Sequence, residues 1–122
     1  MFESPVYYGG VNDPIKAFTF TNAKLSAAPA FQTSNTFPYP GATPSISANG
    51  SSNAIVWAVE NTTPAVLHAH NATNLNEIYN SNQATGGRDH FGAGNKFITP
   101  TIVNGKVFVG TSNGVAIFGP LP

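Results

Sequence analysis

The strongest constraint on the fold of this chain is a repeat of short apolar segments, with a period of about 50 residues. Four-residue runs begin at positions 15, 67 and 115. A second set begins at positions 6, 55 and 107 and keeps nearly the same spacing. Asn-Gly pairs at 49–50 and 104–105 each follow a strand-like segment, which is a strong signal for a hairpin turn.

Strand-like segments account for nearly all of the apolar residues. Period-two or short apolar runs between Gly, Pro, Asn and Ser predict ten strands. No window of a dozen residues lacks a Gly, Pro or β-branched interruption, so no helix is predicted. The predicted strands are 6–9, 15–20, 30–33, 45–47, 54–59, 65–70, 77–80, 101–103, 106–110 and 115–118.

Charge and cysteine content exclude several function classes. Five Lys and Arg balance five Asp and Glu, and only 8% of residues are charged, so no basic surface for nucleic acid is expected. Zero Cys excludes disulfides, thiolate metal sites and a cysteine nucleophile. No apolar run reaches membrane-spanning length and the Met1 end does not resemble a signal peptide, so a soluble chain without a membrane partner is expected.

A period of about 50 residues holding four strands is typical of a β-propeller blade. With blade strands lettered A to D from the ring axis outward, residues 1–36 hold strands B, C and D of one incomplete blade. Residues 37–82 form a complete blade, and residues 83–122 hold a connecting loop and strands A, B and C of a third. The predicted fold class is therefore all-β, a partial propeller of about two and a half four-stranded antiparallel blades. Both faces of strand 54–59 are apolar, as expected for a sheet covered on both sides.

Two segments resemble a known family. The run 67–75, LHAHNATNL, resembles strand C and the following turn in quinoprotein-type (PQQ-like) repeat propellers of bacteria, and 97–111 resembles a closing blade of such proteins. The resemblance implies a parent of seven or eight blades and a secreted or periplasmic origin. It does not extend to the cofactor: the family's vicinal Cys pair, its calcium ligands and its tryptophan docking motifs have no match, and Trp57 is the only Trp. Bound PQQ and a quinoprotein oxidoreductase activity are therefore disfavoured.

A partial propeller leaves apolar sheet faces and open strand edges that need a cover. If the chain is complete, other copies of it are the simplest partners, and closure into a ring as a dimer or trimer is predicted. The alternative is a monomer with blunted edges.

The long connection 81–96 is the best candidate for a functional site. It gathers Arg88, Asp89, His90 and Lys96 on the ring face that also carries the turns with Asp13 and Glu60. A His beside an Asp can act as a general base, and a cation can stabilise developing negative charge. Catalytic roles are therefore assigned to His90, Asp89, Arg88 and Glu60. The alternative is a solvated loop whose charges cap strand ends.

Ligand binding is assigned to Phe91 and Lys96 of this connection and to Asp13.

His68 and His70 form a possible metal-binding pair. They lie two residues apart on one strand, so both point to the same side of the sheet, and such a pair is half of a zinc-type site. A third ligand would come from Glu60, His90 or another chain. The alternative is that both imidazoles pack on polar partners between blades. A divalent metal is thus a candidate, and no other cofactor is expected.

Two functions follow as hypotheses, and whether the chain is an enzyme stays open. The first is a non-catalytic propeller fragment that assembles into a ring and presents a loop-lined face to a ligand or protein. The second is a small hydrolase, acting on an activated ester, phosphoester or glycoside, whose site forms across copies of the chain.

Overall fold

The computed structural model of the chain describes residues 5–121, and within them the protein is all-β. The predicted units 1–36 and 83–122 therefore include residues 1–4 and 122, which lie outside the described residues, as does the Met1 end examined for a signal peptide. Among the described residues, no helix is long and apolar enough to cross a membrane. A 3-10 turn occupies Thr85–Gly87. The strands are β1 (Val6–Gly9), β2 (Ile15–Phe18), β3 (Phe20–Thr21), β4 (Lys24–Leu25), β5 (Phe31–Gln32), β6 (Ser45–Asn49), β7 (Ser52–Glu60), β8 (Val66–Asn71), β9 (Glu77–Asn80), β10 (Thr101–Val103), β11 (Lys106–Gly110) and β12 (Val115–Phe118).

Each of the ten predicted strands has a counterpart, and β1, β9, β10, β11 and β12 match their predicted bounds to the residue. The predicted strand 15–20 is wrong in its extent, because it divides into β2 and β3. Strand β3 pairs with β4 in a small ribbon that turns through Asn22 and Ala23, both at positive φ. An Asn-Ala turn lacks the glycine that usually marks such a reversal, so no local signal indicates this ribbon.

The remaining strands form three antiparallel sheets. The first sheet has the order β1-β2-β5, the middle sheet β6-β7-β8-β9 and the third sheet β10-β11-β12. Within each of them neighbouring strands follow one another in the chain, apart from the β3–β4 ribbon between β2 and β5. Such meanders need only short connections, which the Gly, Asn and Pro content supplies.

The middle sheet is packed on both of its faces. Val56 and Ala58 lie in one apolar cluster with Ile15 and Ala17 of the first sheet. On the opposite face, Val59 and Leu67 cluster with Val107 and Val109 of the third sheet, and Trp57 packs against this second cluster. Because side chains alternate across a strand, β7 must be apolar on both of its faces to fill both clusters. The predicted double-sided burial of this strand is confirmed.

Strand pairing corrects the register of the repeat. Ala17 and Ala69 are each the third residue of the runs that begin at positions 15 and 67. Tyr7 lies opposite Ala17, and Trp57 lies opposite Ala69, so these two aromatic residues are equivalent. Val56 lies opposite His70 as Val107 lies opposite Phe118, so the two valines are equivalent as well. The predicted alignment, which matched position 6 with 55 and 55 with 107, is wrong by one residue at each step. The error matters, because a slip of one residue moves every side chain to the other face.

Two long connections cross the ends of the sheets in the same way. Residues 37–42 lie against the end of β1, where the backbone of Ala42 donates to the Gly9 carbonyl at 3.1 Å. Residues 92–94 lie against the turn after β7, where Gly94 donates to the Thr62 carbonyl at 2.9 Å. A Cβ on Gly94 would lie 2.6 Å from the Asn61 side-chain oxygen, so only glycine fits this crossing.

The two Asn-Gly turns differ. Asn104 and Gly105 have φ of 50° and 70° and join paired Val103 and Lys106, as predicted for a two-residue hairpin. In the other hairpin Asn49 itself pairs with Ser52, so the turn is one residue later than predicted and, of the Asn-Gly pair, only Gly50 has positive φ.

Candidate functional site

Three strands of the middle sheet bring a histidine between two carboxylates. Ala58 pairs with His68, so Glu60, two residues further along β7, projects from the same face. His70 pairs with Glu77 of β9. The Nε2 atom of His68 is 3.0 Å from Oε2 of Glu60, and its Nδ1 atom is 2.6 Å from Oε1 of Glu77. His68 is therefore held from both sides.

Both nitrogens of the His68 ring face carboxylate oxygens, which only accept hydrogen bonds when ionised. Partial burial is the largest single influence on the pKa of Glu77 and acts to raise it. The hydrogen bonds from His68 and Asn80 and the electrostatic interactions with both histidines together outweigh burial and lower this pKa below its usual value.

His70 is fully buried and stacks on His68, with ring centroids 5.8 Å apart and an interplanar angle of 15°. Burial lowers its pKa to about 4, and the neighbouring His68 acts in the same direction. The ring is thus neutral at physiological pH. Its Nε2 atom lies 3.3 Å from Oδ1 of Asn35. Its Nδ1 atom has no hydrogen-bond partner of ordinary geometry among the described residues, although the backbone of Val56 lies close enough to the ring to oppose the lowering of this pKa.

The two histidines, Glu60 and Glu77, here called the histidine cluster, lie between the first and middle sheets. Phe37 meets the His68 ring edge to face, with centroids 5.4 Å apart. Both carboxylates are partly exposed, so solvent reaches the cluster through them. One ligand atom each from His68, His70 and Glu77 lie within 4.8 Å of one another, which is close enough for the three to hold one metal ion.

The architecture alone does not require this cluster. In the corrected register, His68 and His70 correspond to Lys16 and Phe18 in the first sheet. They correspond to Ala116 and Phe118 in the third sheet. Since the same strand positions carry other side chains there, a sheet of this kind forms without the imidazoles.

A second group of polar side chains surrounds Asp89. Tyr79 donates its hydroxyl hydrogen to Oδ2 of Asp89 at 2.7 Å, and Arg88 donates from Nε to Oδ1 at 2.7 Å and from its terminal nitrogen to Oδ2 at 3.0 Å. The Arg88 and Tyr79 hydrogen bonds lower the pKa of Asp89 to about 2. Burial, followed by the bond to Asp89, raises the pKa of the Tyr79 hydroxyl above its usual range.

These residues border a cleft between the middle and third sheets with a volume of about 990 Å³. Its wall includes His90, Phe91 and Trp57 as well as the Tyr79, Arg88 and Asp89 group. Phe91 contacts Phe118 edge to face at 5.2 Å between ring centroids. The cleft therefore combines an apolar, aromatic wall with a charged border, which is the usual make-up of a small-ligand site.

The predicted site residues divide between the cleft, the histidine cluster and two separate contacts elsewhere. Arg88, Asp89, His90 and Phe91 come together at the cleft. Glu60 does not join them, because it projects from the opposite face of the middle sheet and contacts His68. Lys96 lies over the Tyr39 ring, 5.4 Å from its centroid, and Asp13 pairs with Lys16 at 2.6 Å.

The main residue that sequence reasoning missed is Glu77. Strands β8 and β9 were both predicted, but a register shift between Ala69 and His70 hides which residue of β9 lies beside the histidines. Asn35 and Tyr79 were missed for a different reason, since they meet His70 and Asp89 through connections whose course no local pattern indicates.

Comparison with protein-family models, with curated proteins and with solved structures finds no match to this chain.

Proposed function

We propose that the chain is a non-catalytic module of PQQ-like β-propeller type, which joins other copies of itself into a closed ring and presents a loop-lined binding face. The resemblance of 67–75 and 97–111 to that family supports the assignment at the level of sequence. Three stacked antiparallel meanders, joined by connections that cross the sheet ends alike, support it at the level of structure.

The observation that carries the proposal is the exposure of equivalent positions. Leu67 and Ala69 on the middle sheet are buried, and Leu67 packs in the cluster shared with the third sheet. On the third sheet, Ala116 and Phe118 pack against that cluster. Because side chains alternate across a strand, Val115 and Ile117, the equivalents of Leu67 and Ala69, lie on the other face, and both are exposed. A position that is buried in one sheet is thus left uncovered at this end of the stack.

The first sheet, at the other end of the stack, also leaves equivalent positions exposed. Val6 and Tyr8 of the first sheet are equivalent to Val56 and Ala58, which are buried in the middle sheet, yet both are exposed. The outward face of the first sheet is therefore equivalent to the face of the middle sheet that packs against the first sheet. Joining the two outward faces of different copies repeats a contact that the chain already makes within itself, and the interface is heterologous, as ring closure requires.

Contact between the first strands of successive sheets is consistent with a common propeller axis. Strands β6 and β10, the first strands of their sheets, are in contact, and the Ser45 hydroxyl donates to the Pro100 carbonyl. In a propeller the first strand of each blade lies innermost, so such contacts between successive sheets are expected there.

Cross-linking tests the predicted pairing of faces. The chain has no Cys, so a variant with Tyr8→Cys and Ile117→Cys carries only the two introduced thiols. A short bis-maleimide should join copies of this double variant into covalent multimers. Each single variant should remain uncoupled, because the two outward faces differ. Monomer alone in the double variant would overturn the proposal.

The face proposed for ligand binding is the cleft with its border of Arg88, Asp89 and His90. The hydrolase alternative rests on the same residues. It predicts turnover of an activated ester, phosphoester or glycoside that His90→Ala abolishes while assembly persists. Absence of turnover in the wild-type assembly would remove that alternative and leave the binding proposal in place.

A further inference from the structure

We propose that His68, His70 and Glu77 bind one divalent transition-metal ion of the zinc class, with Glu60 supporting the His68 ring from outside the coordination sphere. All four residues lie on the middle sheet of one chain. The site is therefore independent of the ring proposed above.

The contacts of the two rings leave the same ring atom nearest the proposed metal. Nε2 of His70 lies 3.3 Å from Oδ1 of Asn35, and Nε2 of His68 lies 3.0 Å from Oε2 of Glu60. When each Nε2 donates to its oxygen, Nδ1 of each ring is the atom left to coordinate. A ligating imidazole usually donates its other N–H to a carboxylate or carbonyl oxygen, and both rings have such a partner here.

The Nδ1 atom of His70, which has no hydrogen-bond partner of ordinary geometry among the described residues, is the observation that points to a ligand. His70 is fully buried, and leaving a buried polar atom without a partner is unfavourable. The ligand atom of His70 lies within 4.8 Å of those of His68 and Glu77. A metal ion placed among the three would give Nδ1 of His70 a partner and would replace the hydrogen bond between His68 and Glu77.

The donor set favours transition metals over calcium or magnesium. Imidazole nitrogen suits zinc, copper, nickel and iron, whereas the two alkaline-earth ions take oxygen ligands. Two histidines and one glutamate are three of the four ligands of a tetrahedral zinc site. Because Glu77 is partly exposed, solvent is available to supply a fourth ligand.

Metal content tests this directly. Chain freed of metal with a chelator, dialysed against Zn²⁺ and then against buffer, should retain one zinc per chain by elemental mass spectrometry. Competition with a chromophoric chelator gives the affinity. Glu60→Gln should weaken zinc binding about 10–100-fold, as loss of an outer-sphere partner does. Glu77→Gln and His70→Phe should weaken it further.

The controls separate lost binding from lost folding. His70→Phe installs the residue that the first and third sheets carry at the equivalent positions, and Glu77→Gln alters a partly exposed side chain, so circular dichroism should show both variants folded. His90→Ala removes the only other histidine and should bind zinc as the wild type does. Wild-type chain that retains no zinc would overturn the proposal. So would Glu77→Gln binding at wild-type affinity, or loss of binding in His90→Ala.

Discussion

Ala69 and Ile117 occupy equivalent positions on successive sheets, yet Ala69 is 2% exposed and Ile117 is 60% exposed. Ala69 lies opposite Trp57 on the side of the middle sheet that faces the third, while Ile117 lies opposite Phe108 on the outward side of the third sheet. The difference arises because no further sheet follows the third one among the described residues.

A charge at this position should oppose association. Ile117→Asp places a carboxylate on the outward face of the third sheet, where it would be buried unpaired in the assembly. We expect light scattering to show monomer at concentrations where the wild type is assembled. Ile78→Asp is the matched control, since Ile78 is 54% exposed but lies on the outer strand β9, and it should assemble normally. Equal assembly of both variants would contradict the assigned interface.

Mixing two variants tests whether the outward face of the first sheet in one copy pairs with the outward face of the third sheet in another. Tyr8→Asp blocks the outward face of the first sheet, and Ile117→Asp blocks that of the third. Each variant alone should be monomeric. An equimolar mixture retains one intact face of each kind and should form a complex of two chains that grows no further, measured by light scattering. A mixture that stays monomeric argues against pairing of unlike faces.

Close backbone crossing at Gly94 should make that position intolerant of a side chain. In Gly94→Ala the new Cβ would lie 3.0 Å from Cα of Asn61 and closer still to its side-chain oxygen. We expect the free energy of unfolding to fall by about 1–3 kcal/mol, the usual cost of such overpacking. Gly114→Ala is the control, since its nearest neighbouring atom is 3.8 Å away. Denaturant titration of both variants gives the comparison, and equal losses would count against the crossing.

The Asp89 carboxylate should titrate at unusually low pH. Its pKa of about 2 lies below the ordinary 3.8, so the unfolded chain binds this proton at higher pH than the folded chain does. The stabilisation by this group is present above about pH 4 and is lost as pH falls towards 2. Carbon NMR of Asp89 should show the low midpoint, and Tyr79→Phe should raise it. An ordinary midpoint in the wild type would mean that the Arg88 and Tyr79 contacts do not persist in solution.

Strand positions could be predicted because apolar runs and turn residues are local signals. Strands β9 to β12 show this best, with bounds that match to the residue. The face of each strand could not be predicted from the repeat alone, because aligning Tyr7 with Val56 or with Trp57 looks equally good in sequence. Only the pairing of Tyr7 with Ala17 and Trp57 with Ala69 separates the two alignments.

The histidine cluster was predicted in part for the same reason. Two histidines on one strand share a face by the period of the strand, and Glu60 was among the third ligands considered. Glu77 lies across a turn with a register shift between Ala69 and His70, which a residue count does not reveal. The Asp89 group was predicted as a charged segment, but its contact with Tyr79 depends on the path of a connection.

Sedimentation equilibrium of the wild-type chain at micromolar concentration tests the central claim most directly. Two or three copies closing into a ring predict one species at twice or three times the 12.7 kDa of the chain. A single 12.7 kDa species across the whole concentration range would show that the exposed outer faces are stable in water, and it would contradict the proposed assembly.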